Sequence, residues 1–312
     1  MPEAKLRESL ASATAWVTAT PAVDEQLLNH APSLKCVVEV SGAFPNTIDY
    51  AACAKKHVEV LSCSPGFRNA AAEMGLAMAL ACARGLFTEH EAFRTAQEHW
   101  LEDNSATDFT LTGANIGLIG FGQISQELNR LLQPFKPQVK AFDPWISDTV
   151  AQRHGVELCA FDDLLSHARC LFVNAVPTTE NKGLLSAQAL AKLRDNTVVV
   201  VLSRAHLVDF DALTAEAVSG RLRVATDVYP EEPLPLNHPL RTASNALLSP
   251  HRAAAVPAGR QLIGEMLVDD LIALSQGSDG RRLVKADVDR IHSLAGASDA
   301  SQVENMAVSR TT

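Results

Sequence analysis

No apolar run in this 312-residue chain is long enough to cross a membrane, and the most apolar stretch, Leu76–Cys82, falls far short. The amino terminus, from Met1 to Trp16, lacks the apolar core of a secretory signal. Positive charge is in short supply: 27 Lys and Arg stand against 36 Asp and Glu, a net charge of −9. That balance excludes nucleic acid and anionic membrane as partners, since both demand an excess of Lys and Arg. It leaves room for an anionic substrate, which needs only a local positive spot. The six cysteines (Cys36, Cys53, Cys63, Cys82, Cys159 and Cys170) include no C-x-x-C pair. They read as free thiols of a reducing, cytoplasmic compartment, with no metal-ligand spacing and no disulfide framework. Internal repeats are absent.

What is present is enough apolar material for a sizeable core: 47% of the residues are apolar and 20% charged, and the length suits about two domains. The first hundred residues read as an incomplete α/β unit. Helical patterns at Lys5–Ala13, Asp24–His30 and Ile48–Lys56 alternate with apolar runs at Ala15–Ala19, Cys36–Val40 and Val58–Leu61. The stretch Ala70–Arg84 reads as a long buried helix. From Asn115 onward, runs of strand length recur at Asn115–Gly120, Gln138–Phe142, Cys170–Ala175, Thr197–Leu202, Leu222–Thr226 and Ala246–Ser249. Helical patterns fall between most of them, at Gln123–Leu132, Phe161–His167, Ala187–Leu193 and Phe210–Val218, with Ser186 and Asp209 placed as N-caps. Alternation of this length predicts a doubly wound parallel sheet of the Rossmann kind. A last helix over Ala258–Gln276 returns the chain to the first domain.

The sharpest local motif is Gly120-Phe121-Gly122-Gln123-Ile124-Ser125, directly after the apolar run Ile116–Ile119. Gly120 allows a tight turn, Gly122 lets backbone approach a pyrophosphate, and the helix opening at Gln123 and Ile124 offers free N–H groups at its positive end. Such a loop alone is weak. Its setting is stronger, because an acid, Asp143, closes the next strand twenty-one residues past Gly122. A carboxylate there accepts hydrogen bonds from an adenosine ribose diol and repels a 2′-phosphate, which favours NAD over NADP.

Charged residues also stand at three other strand ends, where open α/β sheets bind ligands. These are Ser203-Arg204-Ala205 before Val208-Asp209, Asp227-Val228-Tyr229 before Glu231-Glu232-Pro233, and Ser249-Pro250-His251-Arg252-Ala253-Ala254, with His238-Pro239-Leu240 between the last two. In this order and spacing the chain resembles the D-isomer-specific 2-hydroxyacid dehydrogenases over about Val37 to Leu274. Their pattern runs A-R-G, V-D-x-x-A-L, L-D-V-F-x-x-E-P, H-P-L, T-P-H-x-A-G. The resemblance implies an NAD-dependent enzyme that acts on a small 2-hydroxy or 2-keto acid and works as a homodimer. By that resemblance His251 exchanges a proton with the C2 oxygen, Glu232 holds the imidazole and favours its charged form, and Arg204 grips the substrate carboxylate. Asp227 then sits near the nicotinamide and Pro177 lines the cofactor wall. Leu202, Ser203 and Ala254 complete the cofactor contacts, and Gly42, Ala43 and Phe44 form a substrate loop.

The resemblance also sets the expected domains: a smaller, discontinuous, flavodoxin-like substrate domain from residues 1–85 and 260–290, a dinucleotide-binding domain over 86–259, and a polar tail over 291–312. The small domain lacks the family's usual first strand. Phe44 stands where the family has a second glycine and Val40 where it often has arginine, which makes that side of the pocket apolar. Arg252 and Ala254 replace an apolar residue and a glycine beside the histidine, and Arg252 adds positive charge there. Two other readings share these motifs, an inactive relative and an NAD(H)-sensing scaffold. Absence of turnover with retained NADH binding distinguishes them from the enzyme.

Overall fold

The structure is a computed structural model that describes residues 3–19, 22–42, 44–102, 107–287 and 291. The opening segment runs α1 (Glu3–Leu10), β1 (Ala15–Thr18), α2 (Glu25–Asn29), β2 (Cys36–Glu39), α3 (Tyr50–Lys55) and β3 (Glu59–Ser62). Two short helices start where aspartates can cap them: Asp24 accepts from the Leu27 N–H at 2.7 Å and Asp49 from the Ala52 N–H at 2.8 Å. The chain continues through α4 (Arg68–Ala83), α5 (Leu86–Arg94), β4 (Asn115–Ile119), α6 (Gln123–Leu132), β5 (Gln138–Phe142), α7 (Asp148–Arg153) and β6 (Glu157–Leu158). Next come α8 (Phe161–His167), β7 (Cys170–Val173), α9 (Ala187–Lys192), β8 (Val198–Val201), α10 (Phe210–Val218), β9 (Arg223–Thr226) and β10 (Ala246–Leu248). It ends with α11 (Pro257–Ser275) and β11 (Val284–Lys285).

These elements fall into two compact units. One holds the described residues up to Arg68, Thr178–Glu180, and those from Ala255 on; the other holds Asn69–Pro177 and Asn181–Ala254. In the first unit β1, β2 and β3 are parallel and β11 joins antiparallel to β3. All four residues of β2 are buried, so its side chains alternate between two cores. Val37 points to one core with Leu28, Ile48 and Val60, whereas Cys36 and Val38 join Leu61, Cys63 and Met266 in the other. Ile291, at the head of the expected tail, is buried in the first of these cores, and residues 292–312 lie outside the described residues.

The second unit carries seven parallel strands in the order β10-β9-β8-β7-β4-β5-β6. Its central strands are near-continuous apolar runs, as strands covered by helices on both faces must be. Val198 to Val201, for example, is 0% exposed throughout. From β4 the chain winds outward to β6, then crosses back to place β7 on the other side of β4. The order therefore reverses between β4 and β7, and the carboxyl ends at such a reversal are where open α/β sheets bind ligands. The sequence carries the opening stretch of the first unit to residue 85, whereas that stretch ends at Arg68. The reason lies in α4, whose Ala71, Ala72, Met78, Ala79 and Cys82 pack in one core with Ile116, Leu118 and Phe172 of the large sheet. Arg223 fastens that helix: it donates to the Cys82 carbonyl at 2.7 Å and to Asp108 at 2.8 Å.

All six cysteines are free thiols and five are buried, where burial pushes Cys36 and Cys53 up to about 11. No single helix among the described residues is long and apolar enough to cross a membrane.

Candidate active site

At the point of strand reversal, Gly120 follows β4 with φ +86, a conformation that favours glycine. A Cβ there would lie 2.4 Å from the Ala175 Cα and 2.6 Å from its nitrogen, so the loop after β4 passes directly against the loop after β7. Gly122 differs. It is the N-cap of α6, no side chain caps that helix, and a Cβ on it would meet nothing within 4 Å. The open space over Gly122 and the uncapped first turn at Gln123 and Ile124 fit a pyrophosphate.

Two side chains set this loop. The Ser125 hydroxyl, buried at the third small position of the motif, donates to the Gly120 carbonyl at 2.6 Å and accepts from the Asn174 amide at 3.1 Å. Asp143 accepts from the Phe121 N–H at 2.7 Å through one oxygen and from the Trp145 N–H at 2.8 Å through the other. The carboxylate therefore ties the glycine loop to the end of β5. Each oxygen keeps acceptor capacity for a ribose hydroxyl. Asn174 has no counterpart in the sequence reading. Its carbonyl oxygen Oδ1 is buried with no partner among the described residues, an unused acceptor just after β7. Pro177 is half-buried after β7, and the N–H groups of Leu202 and Ser203 converge on the Val173 carbonyl at 3.3 and 3.4 Å, joining the carboxyl ends of β7 and β8.

Glu232 and His251 stand beyond the ends of β9 and β10. Nδ1 of His251 lies 2.6 Å from Glu232 Oε2, while Oε1 of Glu232 accepts from the Tyr229 N–H at 3.0 Å. Burial pulls the Glu232 carboxyl upward. The bonds from His251 and the Tyr229 N–H, with the charges of His251 and Arg204, outweigh burial and hold it below its ordinary 4.5. Arg204 is thus part of the same cluster; it is half-buried just past β8 and donates to the Ser203 carbonyl at 2.7 Å. A depressed carboxyl favours the folded state above its unfolded value and loses that contribution as pH falls through its folded value. Glu232→Gln is therefore expected to lower the melting temperature at pH 5, with the gap to wild type closing as pH drops below 4.5. Thermal melts from pH 5 downward check this, and a gap independent of pH would contradict it.

His251 itself has φ +47, in the left-handed region. What holds it there is Asp227, 1% exposed, whose two oxygens accept from the N–H groups of Arg252 at 2.9 Å and Ala253 at 2.8 Å. Asp227, which the resemblance places near the nicotinamide, gives both carboxylate oxygens to the loop that carries His251. Tyr229, which stands where the family pattern has Phe, adds a second brace. Its buried hydroxyl donates within reach of the Ser249 carbonyl at 3.0 Å and the Thr226 carbonyl at 3.3 Å, joining the ends of β10 and β9. Ala254 closes the loop and the unit.

The expected substrate loop belongs to the first unit. Gly42 has φ +85, and a Cβ there would strike the Phe67 ring at 2.7 Å. Phe44 packs against that unit's core, edge-on to Tyr50 with ring centroids 6.5 Å apart. Ala43 lies outside the described residues.

Comparison with known proteins gives the family. Residues 76–253 match the family described as D-isomer specific 2-hydroxyacid dehydrogenase, NAD binding domain. A D-3-phosphoglycerate dehydrogenase of Mycobacterium leprae is 31% identical over 249 residues, 80% of this chain and 46% of its own length. The chain spans about half the length of such curated relatives. A glyoxylate reductase of Thermofilum pendens is 28% identical over 88% of this chain and 82% of its own. Among solved structures, a phosphoglycerate oxidoreductase from Rhizobium etli superposes with a TM-score of 0.79 at 32% identity, covering 90% of this chain and 86% of that one. The seven-stranded parallel sheet, the glycine loop at its point of reversal and the family match over residues 76–253 lead to one conclusion: the chain belongs to the D-isomer specific 2-hydroxyacid dehydrogenases and carries their NAD-binding domain.

Proposed function

We propose that this protein is an NAD-dependent oxidoreductase that interconverts a small 2-keto acid and its 2-hydroxy acid. The observation that carries the reading is the 2.6 Å contact between His251 and Glu232 within the electrostatic reach of Arg204. Gly120, Gly122, Gln123, Ile124, Asp143, Pro177, Leu202, Ser203, Asp227 and Ala254 are the residues assigned to hold the dinucleotide. When bound, NADH supplies two electrons and one hydrogen as a hydride to C2. Arg204 presents a fixed fork of donors, which suits the substrate carboxylate and polarises the adjacent ketone. As the C2 oxygen gains negative charge, His251 gives it a proton, and Glu232 keeps the ring oriented through Nδ1 so that the opposite nitrogen does the transfer. In the oxidising direction the same ring takes the proton back. Gly42, Ala43 and Phe44 are assigned to the substrate. The test follows NADH absorbance with a panel of 2-keto acids. Turnover of at least one acid is expected; tight NADH binding with no acid reduced would overturn the reading.

The same proposal includes a cytoplasmic homodimer. Supporting the dimer, none of the residues of α5 is buried, and Leu86, Phe93, Trp100 and Leu101 leave an apolar surface exposed. Light scattering should give twice the chain's 33.4 kDa, and a monomer mass at micromolar concentration would remove this part. Five buried free thiols among six suit a reducing compartment. Recovery from a non-cytoplasmic fraction would contradict that placement.

A further inference from the structure

Glu232 and His251 lie on separate loops, nineteen residues apart in the chain, and one residue is bonded to both loops. Tyr229 donates its main-chain N–H to Glu232 Oε1 at 3.0 Å. At the far end of the same residue, the hydroxyl lies 3.0 Å from the Ser249 carbonyl and 3.3 Å from the Thr226 carbonyl. The Ser249 carbonyl also accepts from the His251 N–H at 3.1 Å. With the 2.6 Å contact between Glu232 Oε2 and His251 Nδ1, these bonds close a circuit that runs from Tyr229 through Glu232, His251 and the Ser249 carbonyl back to Tyr229.

The hydroxyl suits its place in that circuit. Both of its acceptors are main-chain carbonyls, which neither titrate nor rotate away. Burial pushes the phenol up to about 12, so at neutral pH it keeps the proton that it donates. The ring is 6% exposed, and Phe210, at the start of α10, meets it edge-on with centroids 6.0 Å apart, which fixes its direction. Phenylalanine, which the family pattern has here, keeps the ring and the main-chain bond to Glu232 but leaves the Ser249 side of the circuit open.

We propose that Tyr229 is a positioning residue for the reaction: its hydroxyl fixes the loop that carries His251 against the loop that carries Glu232, and so sets the imidazole for proton transfer. This rests on the oxidoreductase reading above. The hydroxyl acts through His251, so its removal slows the chemical step and leaves ground-state binding alone.

The test compares wild type, Tyr229→Phe, Glu232→Gln and the double variant in keto-acid reduction, with an NADH titration and a thermal melt of each. Tyr229→Phe keeps the apolar ring that packs on Phe210, so the variant folds and only the hydroxyl is lost. It is expected to lower kcat by about three- to tenfold, the worth of one hydrogen bond. KM and the NADH dissociation constant should stay within about twofold of wild type. In the Glu232→Gln background the charge-assisted link to the imidazole is already gone. There the same change should cost less than about twofold in kcat, because residues that act as a unit are not additive. A hydroxyl that serves the fold alone would lower the melting temperature and multiply the two losses. Equal factors in the two backgrounds therefore overturn the proposal. So does a wild-type kcat in Tyr229→Phe, or a loss that lies in KM or in NADH affinity. If wild type reduces no keto acid, the oxidoreductase reading falls and the inference with it, whereas turnover by wild type with an unchanged kcat in Tyr229→Phe removes the inference alone.

Discussion

Replacing His251 with asparagine is expected to cut keto-acid reduction by about 10²- to 10⁴-fold, the usual contribution of a positioned general acid, while NADH binds within a factor of about two. Asparagine is the informative choice because residue 251 has φ +47, and asparagine is among the few residues that adopt the left-handed region readily. The bonds from Arg252 and Ala253 to Asp227 then survive, and what is lost is the proton-transferring ring with its 2.6 Å link to Glu232. Fluorescence titration with NADH and steady-state rates measure the two halves of the expectation. Retention of more than a tenth of the wild-type rate would remove His251 from the chemistry. Loss of NADH binding would instead make it part of the cofactor's support.

Gly120→Ala is the second large effect. The new methyl would stand 2.4 Å from the Ala175 Cα, a backbone atom that cannot rotate away, at a φ of +86 that alanine strongly resists. Positive-φ strain of about 1–3 kcal/mol adds to overpacking of about 1–3 kcal/mol, for a destabilisation of roughly 2–6 kcal/mol. The alternative is a displaced loop, which breaks the 2.6 Å bond from Ser125 and the 2.7 Å bond to Asp143 and so weakens NADH binding. Gly122→Ala provides the contrast. Its φ is −73 and its Cβ space is empty, so stability should fall by less than about 1 kcal/mol, the N-cap preference alone, while NADH affinity drops. Urea unfolding and NADH titration of both variants separate the cases. Equal stability of Gly120→Ala and wild type would mean that the two loops do not meet as described.

The contrast between these glycines marks how far sequence carries. The apolar runs at Asn115, Gln138, Cys170, Thr197, Leu222 and Ala246 all became strands, and Ser186 and Asp209 do cap α9 and α10. Periodicity reaches that far because buried parallel strands and amphipathic helices repeat a local pattern. Elements without such a pattern were not visible. Helix α5 buries none of its side chains, and β6 and β11 are two-residue pairings defined by their neighbours. Helix α4 is apolar on most faces, so its sequence says that it is buried but not in which unit. At the site, the order of Arg204, Glu232 and His251 along the chain was legible through the family pattern. The supports were not: Asn174 reaches Ser125 across forty-nine positions, and Asp227 is committed to backbone twenty-five and twenty-six residues on. Tyr229 left a trace, as a departure from the family's Phe, but its hydroxyl's partners are carbonyls that no motif names.

The most direct test of the account follows the transferred hydrogen. NADH deuterated at nicotinamide C4, on the transferred face, is incubated with the enzyme and an accepted 2-keto acid, and the product is weighed by mass spectrometry. The account predicts a 2-hydroxy acid heavier by one mass unit, with deuterium at C2, and no such product from His251→Asn over the same time. Unlabelled hydroxy acid, or label lost to water, would contradict direct transfer to C2 and with it the central claim.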